Sequence, residues 1–256
     1  MKKLKKAILP GNYENYVFDL YGTLVDIATD EANPKLWKRM AMLFGYYGAD
    51  YTEKELQKRY ELLVALEESR LRDELEEDPE YIDESFAEID ILKVFRTMLT
   101  DRNPQADEEM VRSIAHCFRL LSTKKLQLYP GTLELLISLK DAGKKVYLLS
   151  NAQHEFTMGE LRLLKLENCF DRILLSSDYG YRKPDRRYFM ALLEEERLDP
   201  AKCLYVGNDA LNDVHGAKKM GMDAYYIQTA QTPKGDNTKE ADYMVKKFEK
   251  WEGLEA

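Results

Sequence analysis

Apolar residues follow two different spacings along the chain, and each spacing predicts one kind of secondary structure. Residues 16–20 form a short apolar and aromatic run that meets a glycine-containing turn, which predicts a strand ending in a loop. Between residues 34 and 122, leucine, methionine and aromatic residues recur at steps of three and four, as they do on one face of a helix. Breaks at Pro79 and Asn103-Pro104 divide this stretch into four or five predicted helices.

Beyond residue 130, short apolar runs alternate with helical patterns. The predicted strands are residues 145–150, 173–176, 203–206 and 223–227, and the predicted helices are residues 132–142, 154–166, 185–197 and 211–220. Regular alternation of strands and helices predicts a mostly parallel sheet with helices on both faces. The expected fold class is therefore α/β, with a doubly wound core.

The helical stretch interrupts this core directly after its first strand. About 125 residues separate the first strand from the second, far more than an ordinary crossover connection needs. Ligands of open parallel sheets bind at the carboxyl ends of the strands, so an insertion at this point would cover the site as a lid. We expect a catalytic core of residues 1–27 and 126–256 and a helical cap domain of residues 28–125, with hinges near residues 26–30 and 123–130.

The net charge of the chain bears on its partners. Its 256 residues include 38 lysines and arginines and 46 aspartates and glutamates, a net charge of −8, which argues against a nucleic-acid backbone as partner. Twelve of the acids lie between Glu67 and Asp90, where Arg70 and Arg72 are the only basic residues. This stretch predicts a solvated helical face, with a docking surface for a basic partner as the alternative.

Cysteine usage and the amino-terminal residues bear on the compartment. Cys117, Cys169 and Cys203 form no CxxC pair, so neither a disulfide framework nor a zinc site is indicated. The basic start has a three-residue apolar stretch before Pro10, which is too short for a signal peptide. No window reaches the apolar length of a membrane span. A cytoplasmic location with no membrane partner is the expectation.

Polar side chains follow four of the predicted strands at the point where each strand ends. The carboxyl ends of parallel strands meet at one edge of a sheet, so we expect these side chains to lie together. Each alone has an ordinary explanation as a helix cap, a turn residue or an exposed charge. In chain order they are Asp19, then Ser150 and Asn151, then Lys183, and finally Asn208, Asp209 and Asp213. The succession of carboxylate, hydroxyl, lysine and paired acids predicts a catalytic site.

The sequences around these residues resemble the motifs of the haloacid dehalogenase-like hydrolases. Asp19 stands in an FDxxGTL-type segment (FDLYGTL, residues 18–24), and Ser150 ends an apolar strand. Lys183 precedes a proline, and an acidic pair of DxxxD type precedes Gly216-Ala217. The helical stretch also matches the cap of this family, so the likeness covers essentially the whole chain. The resemblance implies a Rossmann-like core with an inserted all-helical cap domain.

The resemblance also implies how the site would act on a small, phosphorylated molecule. Asp19 would attack the substrate and form a covalent aspartyl intermediate that water hydrolyses, which divides one difficult step into two easier ones. Ser150 and the backbone amide of Asn151 would hold a phosphate oxygen, and Lys183 would offset the negative charge. Backbone N–H groups of the Gly22-Thr23 turn would approach the ligand.

A Mg²⁺ ion is the cofactor that the resemblance implies. Its ligands would be Asp19, the backbone carbonyl of Tyr21 and Asp209, with Asp213 close by, because Mg²⁺ prefers one or two carboxylates and leaves room for water and phosphate. If the last motif is instead read with four intervening residues, Asn208 takes the ligand position.

Two features depart from the usual phosphatase pattern. Phosphatases of this family usually carry a second Asp two residues after the nucleophile as general acid and base, where this chain has Tyr21. The family's 2-haloacid dehalogenases also have Tyr there, but they work without metal and tend to replace the acidic pair, which this chain keeps. They carry a further Tyr six residues after the lysine, where this chain has Phe189, with Tyr188 one place earlier. Arg39 is a candidate to bind a haloacid carboxylate by its place early in the cap.

These features leave three functional hypotheses. The favoured one is a Mg²⁺-dependent phosphohydrolase of a small phosphorylated metabolite, with Asp19, Tyr21, Ser150 and Lys183 as the catalytic candidates. The second is a metal-independent 2-haloacid dehalogenase. The third is a weakly active or inactive relative that acts as a binding protein through its acidic cap.

Overall fold

Four successive helices follow the first three strands, and from residue 123 to residue 227 strands and helices alternate. The computed structural model describes residues 5–77 and 86–255. The strands are β1 (Lys6–Leu9), β2 (Asn15–Phe18), β3 (Val25–Thr29), β4 (Thr123–Leu128), β5 (Lys145–Ser150), β6 (Arg172–Leu175), β7 (Cys203–Gly207), β8 (Asp223–Ile227), β9 (Tyr243–Val245) and β10 (Lys250–Leu254). The helices are α1 (Pro34–Tyr46), α2 (Glu53–Glu76), α3 (Ile91–Thr100), α4 (Glu108–Ser122), α5 (Thr132–Asp141), α6 (His154–Leu163), α7 (Arg186–Glu195) and α8 (Gly216–Lys219).

Within the described residues, six strands form a central parallel sheet in the order β6-β5-β2-β7-β8-β9. Successive side chains of a strand point to opposite faces, and in β2 Tyr16 and Phe18 pack into one apolar cluster while Val17 packs into another. Because both faces are covered, the central strands consist almost entirely of buried residues. The predicted α/β fold with a mostly parallel sheet is confirmed.

Several predicted elements of the second half have the expected bounds, and others differ. β5 and β8 occupy the predicted residues. The helix predicted at residues 211–220 instead begins as a π-helical turn, Ala210–His215, that leads into α8. β1 and β10 were not predicted, and they pair with each other in parallel as a separate two-stranded sheet. Their pairing joins the two ends of the chain, which local periodicity does not reveal.

The helical insertion consists of α1 to α4 within the described residues, and these helices share one apolar cluster. The predicted break at Asn103-Pro104 falls between α3 and α4, whereas Pro79 lies outside the described residues. The Thr52 side chain and the Glu55 side chain cap the start of α2 reciprocally. The cluster also includes Phe156 of α6, so the insertion packs against the core. None of the described helices is both long and apolar enough to cross a membrane.

β3 and β4 pair as an antiparallel ribbon that connects the core to the insertion. The predicted hinge segments, residues 26–30 and 123–130, coincide largely with this ribbon, and Asp26 forms an ion pair with Lys125 across it. β3 begins directly after the loop that follows β2, so the ribbon starts beside the predicted nucleophile. The hinge motion and the cap boundaries stay predictions.

The acidic stretch of residues 67–90 does not behave as one uniform surface. On α2, Glu67 and Glu74 both form ion pairs with Arg70. The Glu88 carboxylate instead turns toward the core, where it accepts a hydrogen bond of 2.9 Å from the Ser176 hydroxyl. Residues 78–85 of this stretch lie outside the described residues.

Candidate active site

Asp19 lies at the carboxyl end of β2, near the middle of the central sheet, and is 7 % exposed. Its Oδ1 accepts hydrogen bonds from Ser150 Oγ (3.2 Å) and Lys183 Nζ (2.9 Å). Its Oδ2 accepts a hydrogen bond from Thr23 Oγ1 (3.2 Å). The carboxylate is therefore held on both oxygens by residues from three separate segments of the core.

The Lys183 side chain joins the acidic groups of the site and is 2 % exposed. Its ammonium donates hydrogen bonds to Asp19 Oδ1 (2.9 Å), Asp213 Oδ1 (2.7 Å) and the Tyr205 hydroxyl (2.7 Å). All three donors are thus satisfied, as a buried charge requires. Burial by itself would lower the pKa of Lys183, but the carboxylates of Asp19 and Asp213 outweigh this effect and raise that pKa above its usual value.

Asp213 is buried and has hydrogen-bond partners on both oxygens. Besides Lys183, the backbone N–H groups of Asn208 (2.9 Å) and Asp209 (3.0 Å) donate to its Oδ2. Burial raises the pKa of Asp213 to about 6, with the lysine acting in the opposite direction and Asp19 adding to the rise. Asp213 therefore fixes both the lysine and the loop after β7.

Asn208 and Asp209 are neighbours in sequence but their side chains have different partners. Asn208 is 6 % exposed, and its Oδ1 lies 3.3 Å from Thr23 Oγ1, whose one proton is shared between this oxygen and Asp19 Oδ2. Gly22 has a φ of +86°, and a Cβ there would collide with the Asn208 side chain. Asn208 is therefore in close contact with residues 19–24, which we call the nucleophile loop after the role predicted for Asp19. Asp209 instead caps the π-helical turn, where its Oδ1 accepts from the backbone N–H of Asn212 (2.7 Å).

Two further predicted positions hold the backbone of the site. The Asn151 side chain donates to the Lys183 carbonyl (3.0 Å) and accepts from the Lys183 N–H (2.8 Å). The buried Tyr188 hydroxyl donates to the Ser150 carbonyl (2.9 Å). The Phe189 ring packs against the Tyr205 ring, with 5.6 Å between the ring centroids.

The Tyr21 hydroxyl lies against α6. It donates a hydrogen bond of 2.5 Å to Glu160 Oε2 and lies 3.0 Å from Thr157 Oγ1. Burial, with the nearby Glu160 charge, raises the pKa of Tyr21 above its usual value. The hydroxyl therefore stays protonated at neutral pH, and this disfavours it as a general base.

A polar cavity of about 190 Å³ lies over these groups. Its lining residues are Asp19, Tyr21, Asn151, Lys183, Asn208, Asp209, Asn212, Asp213, Gln231 and Pro233. Among these described residues, three are carboxylates and Lys183 is the only cation. Arg39 is exposed on α1 and does not line the cavity.

The donor set bears on the predicted metal. Among the described residues, no three His, Cys, Asp or Glu side chains come together as a metal-binding group. Mg²⁺ needs no such group, because it commonly uses one or two carboxylates with neutral oxygens and water. The Asp19 carboxylate and the Asn208 amide oxygen both lie within hydrogen-bond distance of Thr23 Oγ1, so hard oxygen donors of this kind are together beside the nucleophile loop.

Sequence reasoning missed several residues of the site, of which Tyr205 and Gln231 make hydrogen bonds to other site or ribbon residues. Tyr205 lies within the apolar strand β7, where an aromatic residue is indistinguishable from ordinary core packing, yet its hydroxyl accepts from Lys183 and donates to the Leu149 carbonyl (2.9 Å). Gln231 lies in the loop after β8, and its Nε2 donates to Asp26 Oδ1 (2.8 Å). No motif near Gln231 indicates that this loop returns to the cavity.

The comparison with known families agrees with this architecture. A family model described as a haloacid dehalogenase-like hydrolase matches residues 13–221. A match of this length, on a parallel α/β sheet with polar groups at its carboxyl edge, defines the protein as a hydrolase. The chain belongs to the haloacid dehalogenase-like hydrolases.

Relatives within this family differ in their reactions. (S)-2-haloacid dehalogenase 4A of Burkholderia cepacia is 27 % identical over 230 residues, which cover 85 % of this chain and 84 % of the relative. Glyceraldehyde 3-phosphate phosphatase of Methanothermobacter thermautotrophicus is 30 % identical over 107 residues, which cover 42 % of this chain and 47 % of the relative. The crystal structure of a HAD phosphatase from Thermococcus onnurineus aligns with a TM-score of 0.56 at 19 % identity, over 91 % of this chain and 93 % of that one, and supports the fold. Similarity therefore establishes that the protein is a hydrolase, and it does not distinguish release of phosphate from release of halide.

Proposed function

We propose that the protein is a Mg²⁺-dependent phosphohydrolase in which Asp19 becomes phosphorylated by a small phosphate ester. The observation that carries this proposal is the charge balance of the cavity, which has three carboxylates and one lysine among its described lining residues. Carboxylates in close proximity repel each other unless a cation lies near them. A divalent cation would relieve this repulsion and would also neutralise a phosphate.

The same charge balance disfavours a substrate with a free carboxylate. Lys183 already donates to Asp19 and Asp213, so it has little capacity to hold a further anion. Arg119, whose guanidinium lies 5.7 Å from the centroid of the Tyr21 ring, is already paired with Glu160. A haloacid carboxylate would therefore enter a cavity that is negative overall.

A 2-haloacid dehalogenase stays the second candidate. Two observations favour it, namely Tyr21 in the nucleophile loop and the dehalogenase relative that aligns over 85 % of this chain. Against it, the Tyr188 hydroxyl is bonded to the Ser150 carbonyl, and Phe189 has no hydroxyl to offer. The phosphohydrolase accounts for more of the described side chains.

On this proposal each side chain has a definite task. An Asp19 oxygen attacks phosphorus while the bond to the leaving oxygen breaks, and water then cleaves the aspartyl phosphate to release phosphate and regenerate Asp19. Lys183 and Ser150 hold Asp19 in position and reduce the repulsion between two anions. Bound Mg²⁺ would supply positive charge to the transferring phosphoryl group, with Asp19, the Tyr21 carbonyl and Asn208 as its protein ligands.

The helical insertion has the role of a cap in this proposal. Residues 28–125 would cover the core of residues 1–27 and 126–256 and exclude water while the intermediate forms. Because the Tyr21 hydroxyl is a poor proton donor to a leaving group, the enzyme should prefer substrates whose leaving groups are weak bases.

The decisive experiment compares two substrate panels with and without metal. Purified protein would be assayed with aryl, acyl and alkyl phosphates and with 2-haloacids, each in millimolar Mg²⁺ or in EDTA. We expect phosphate release that requires Mg²⁺ and is lost in Asp19→Asn. Halide release in EDTA without phosphatase activity would instead establish the second candidate.

A further inference from the structure

Tyr21, Glu160 and Arg119 form a partly buried polar cluster that joins three elements. Tyr21 belongs to the nucleophile loop, Glu160 to α6 of the core, and Arg119 to α4 of the helical insertion. The Arg119 guanidinium donates to Glu160 through Nε (2.5 Å) and Nη2 (3.3 Å). The Tyr21 hydroxyl donates to the same carboxylate, and because it has one proton, Thr157 Oγ1 must be the donor in the contact between those two hydroxyls.

The two charged side chains of the cluster have little exposure to water. The side chains of Arg119 and Glu160 are 17 % and 10 % exposed. The guanidinium also lies over two aromatic rings, 5.7 Å from the Tyr21 centroid and 5.3 Å from the Phe156 centroid. Burial opposes the charge on Arg119, but Glu160 outweighs this effect and raises the pKa of Arg119. Tyr21 and Arg119 therefore both keep the protons that they donate at neutral pH.

We expect this partly buried ion pair to contribute more to a defined geometry than to net stability. The cost of removing both charges from water offsets most of their attraction, whereas losing one partner leaves an uncompensated charge. Here the geometry that is defined includes the side chain two residues after Asp19. The nucleophile loop, α6 and the insertion thus share one carboxylate.

We propose that Arg119 and Glu160 are positioning residues that hold Tyr21, and with it the nucleophile loop, in register with the helical insertion. The kinetic part of this inference rests on the proposed function, whereas the structural part does not. Arg119 would act through Tyr21 and would not touch substrate. A change in the contact between the insertion and α6 would then directly change the position of the loop that carries Asp19.

The chain supplies a matched control for this idea. Arg112 of α4 forms an ion pair with Glu155 of α6, and His116 lies 2.8 Å from the same carboxylate. This second pair connects the same two helices, but the contacts of the Tyr21 hydroxyl are with Thr157 and Glu160. Arg112→Ala therefore removes a tie between insertion and core without removing a partner of Tyr21.

The first test measures backbone hydrogen exchange in the whole 256-residue chain. The amides of Gly22 and Leu24 donate to the Val25 and Leu20 carbonyls, so their exchange reports on the order of the loop. Arg119→Ala should accelerate exchange in this loop by about tenfold or more, the effect of losing a hydrogen bond to a charged group, while Arg112→Ala should not. Equal acceleration in both variants, or none in Arg119→Ala, would overturn the inference.

The second test measures turnover of p-nitrophenyl phosphate in Mg²⁺. Arg119→Ala should lower kcat by about tenfold with little change in KM, because the phosphate-holding residues are untouched, and Arg112→Ala should retain the kcat of the unaltered protein. Glu160→Gln keeps an acceptor for Tyr21 and should lose less than Arg119→Ala, and it replaces that variant if Arg119→Ala does not fold. An unaltered protein with no turnover would refute the proposed function, and the exchange comparison would still decide the positioning role. If kcat in Arg119→Ala matches that in Arg112→Ala, the kinetic part is wrong.

Discussion

The assignment of the metal ligand to Asn208 or to Asp209 can be tested by removing each side chain separately. The Asp209 carboxylate accepts from the N–H groups of Leu211 (2.9 Å) and Asn212 (2.7 Å), which makes it the cap of the π-helical turn. Asp209→Ala should therefore lower the free energy of unfolding by about 1 kcal/mol, as cap removal commonly does. Its effect on the Mg²⁺ requirement should be small.

Asn208→Ala should instead change the Mg²⁺ requirement more than the free energy of unfolding. The Asn208 side chain contacts Thr23 and Gly22 of the nucleophile loop, so its removal deletes an oxygen atom that could bind a metal ion beside Asp19. Loss of a residue that merely supports a metal ligand weakens affinity by roughly 10- to 100-fold, and loss of a ligand should cost at least as much. The apparent Mg²⁺ affinity should therefore fall by about tenfold or more.

The assay is a Mg²⁺ titration of p-nitrophenyl phosphate turnover, combined with urea unfolding of each variant. Asn212→Ala is the matched control, because Asn212 lines the same cavity and donates to Asp209 Oδ2 (2.8 Å). A Mg²⁺ requirement that rises in Asp209→Ala and is unchanged in Asn208→Ala would reverse the assignment. Turnover that is independent of Mg²⁺ in the unaltered protein would remove the metal site altogether.

Four further predictions concern Asp19 as nucleophile, the buried charges, and Tyr21 at the position where phosphatases of the family usually have Asp. Asp19→Asn should abolish turnover while the urea midpoint stays close to that of the unaltered protein, and residual activity in a folded variant would contradict the mechanism. Lys183→Met should lower the free energy of unfolding by about 3–5 kcal/mol, because it leaves two buried carboxylates unpaired, and a loss below about 1 kcal/mol in urea unfolding would show that the lysine is not needed for their burial. Tyr21→Asp should raise turnover of alkyl phosphates more than of aryl or acyl phosphates, by less than the general acid–base limit of roughly 10²–10⁴. An equal change for all leaving groups would refute the idea that Tyr21 limits turnover by failing to protonate the leaving group. Burial raises the pKa of Glu88, so the contribution of this side chain to stability is complete below its unfolded pKa and is lost as pH rises through its folded pKa. Urea unfolding at a series of pH values should therefore show that Glu88→Gln loses less stability than the unaltered protein over that interval.

The sequence by itself determined the parts of this protein that depend on neighbouring residues. Apolar spacing predicted the bounds of β5 and β8 correctly, and the long gap after the first strand predicted a helical insertion of residues 28–125, a range that contains α1 to α4. Strand ends carried the polar residues that meet around Asp19, because parallel strands bring their carboxyl ends to one edge. These features follow from local periodicity and from the geometry of any parallel sheet.

Only the tertiary structure decided which of two adjacent side chains, Asn208 or Asp209, lies beside the nucleophile loop. Both residues lie between the end of β7 and the π-helical turn, outside any element with a regular period, so sequence spacing does not predict which of the two side chains faces that loop. The partners of Tyr21 and the hydroxyl of Tyr205 were likewise set by residues far away in the chain, such as Glu160. Periodicity reports which face of an element is apolar, whereas a hydrogen bond between distant elements depends on how those elements pack, and packing is a property of the whole fold.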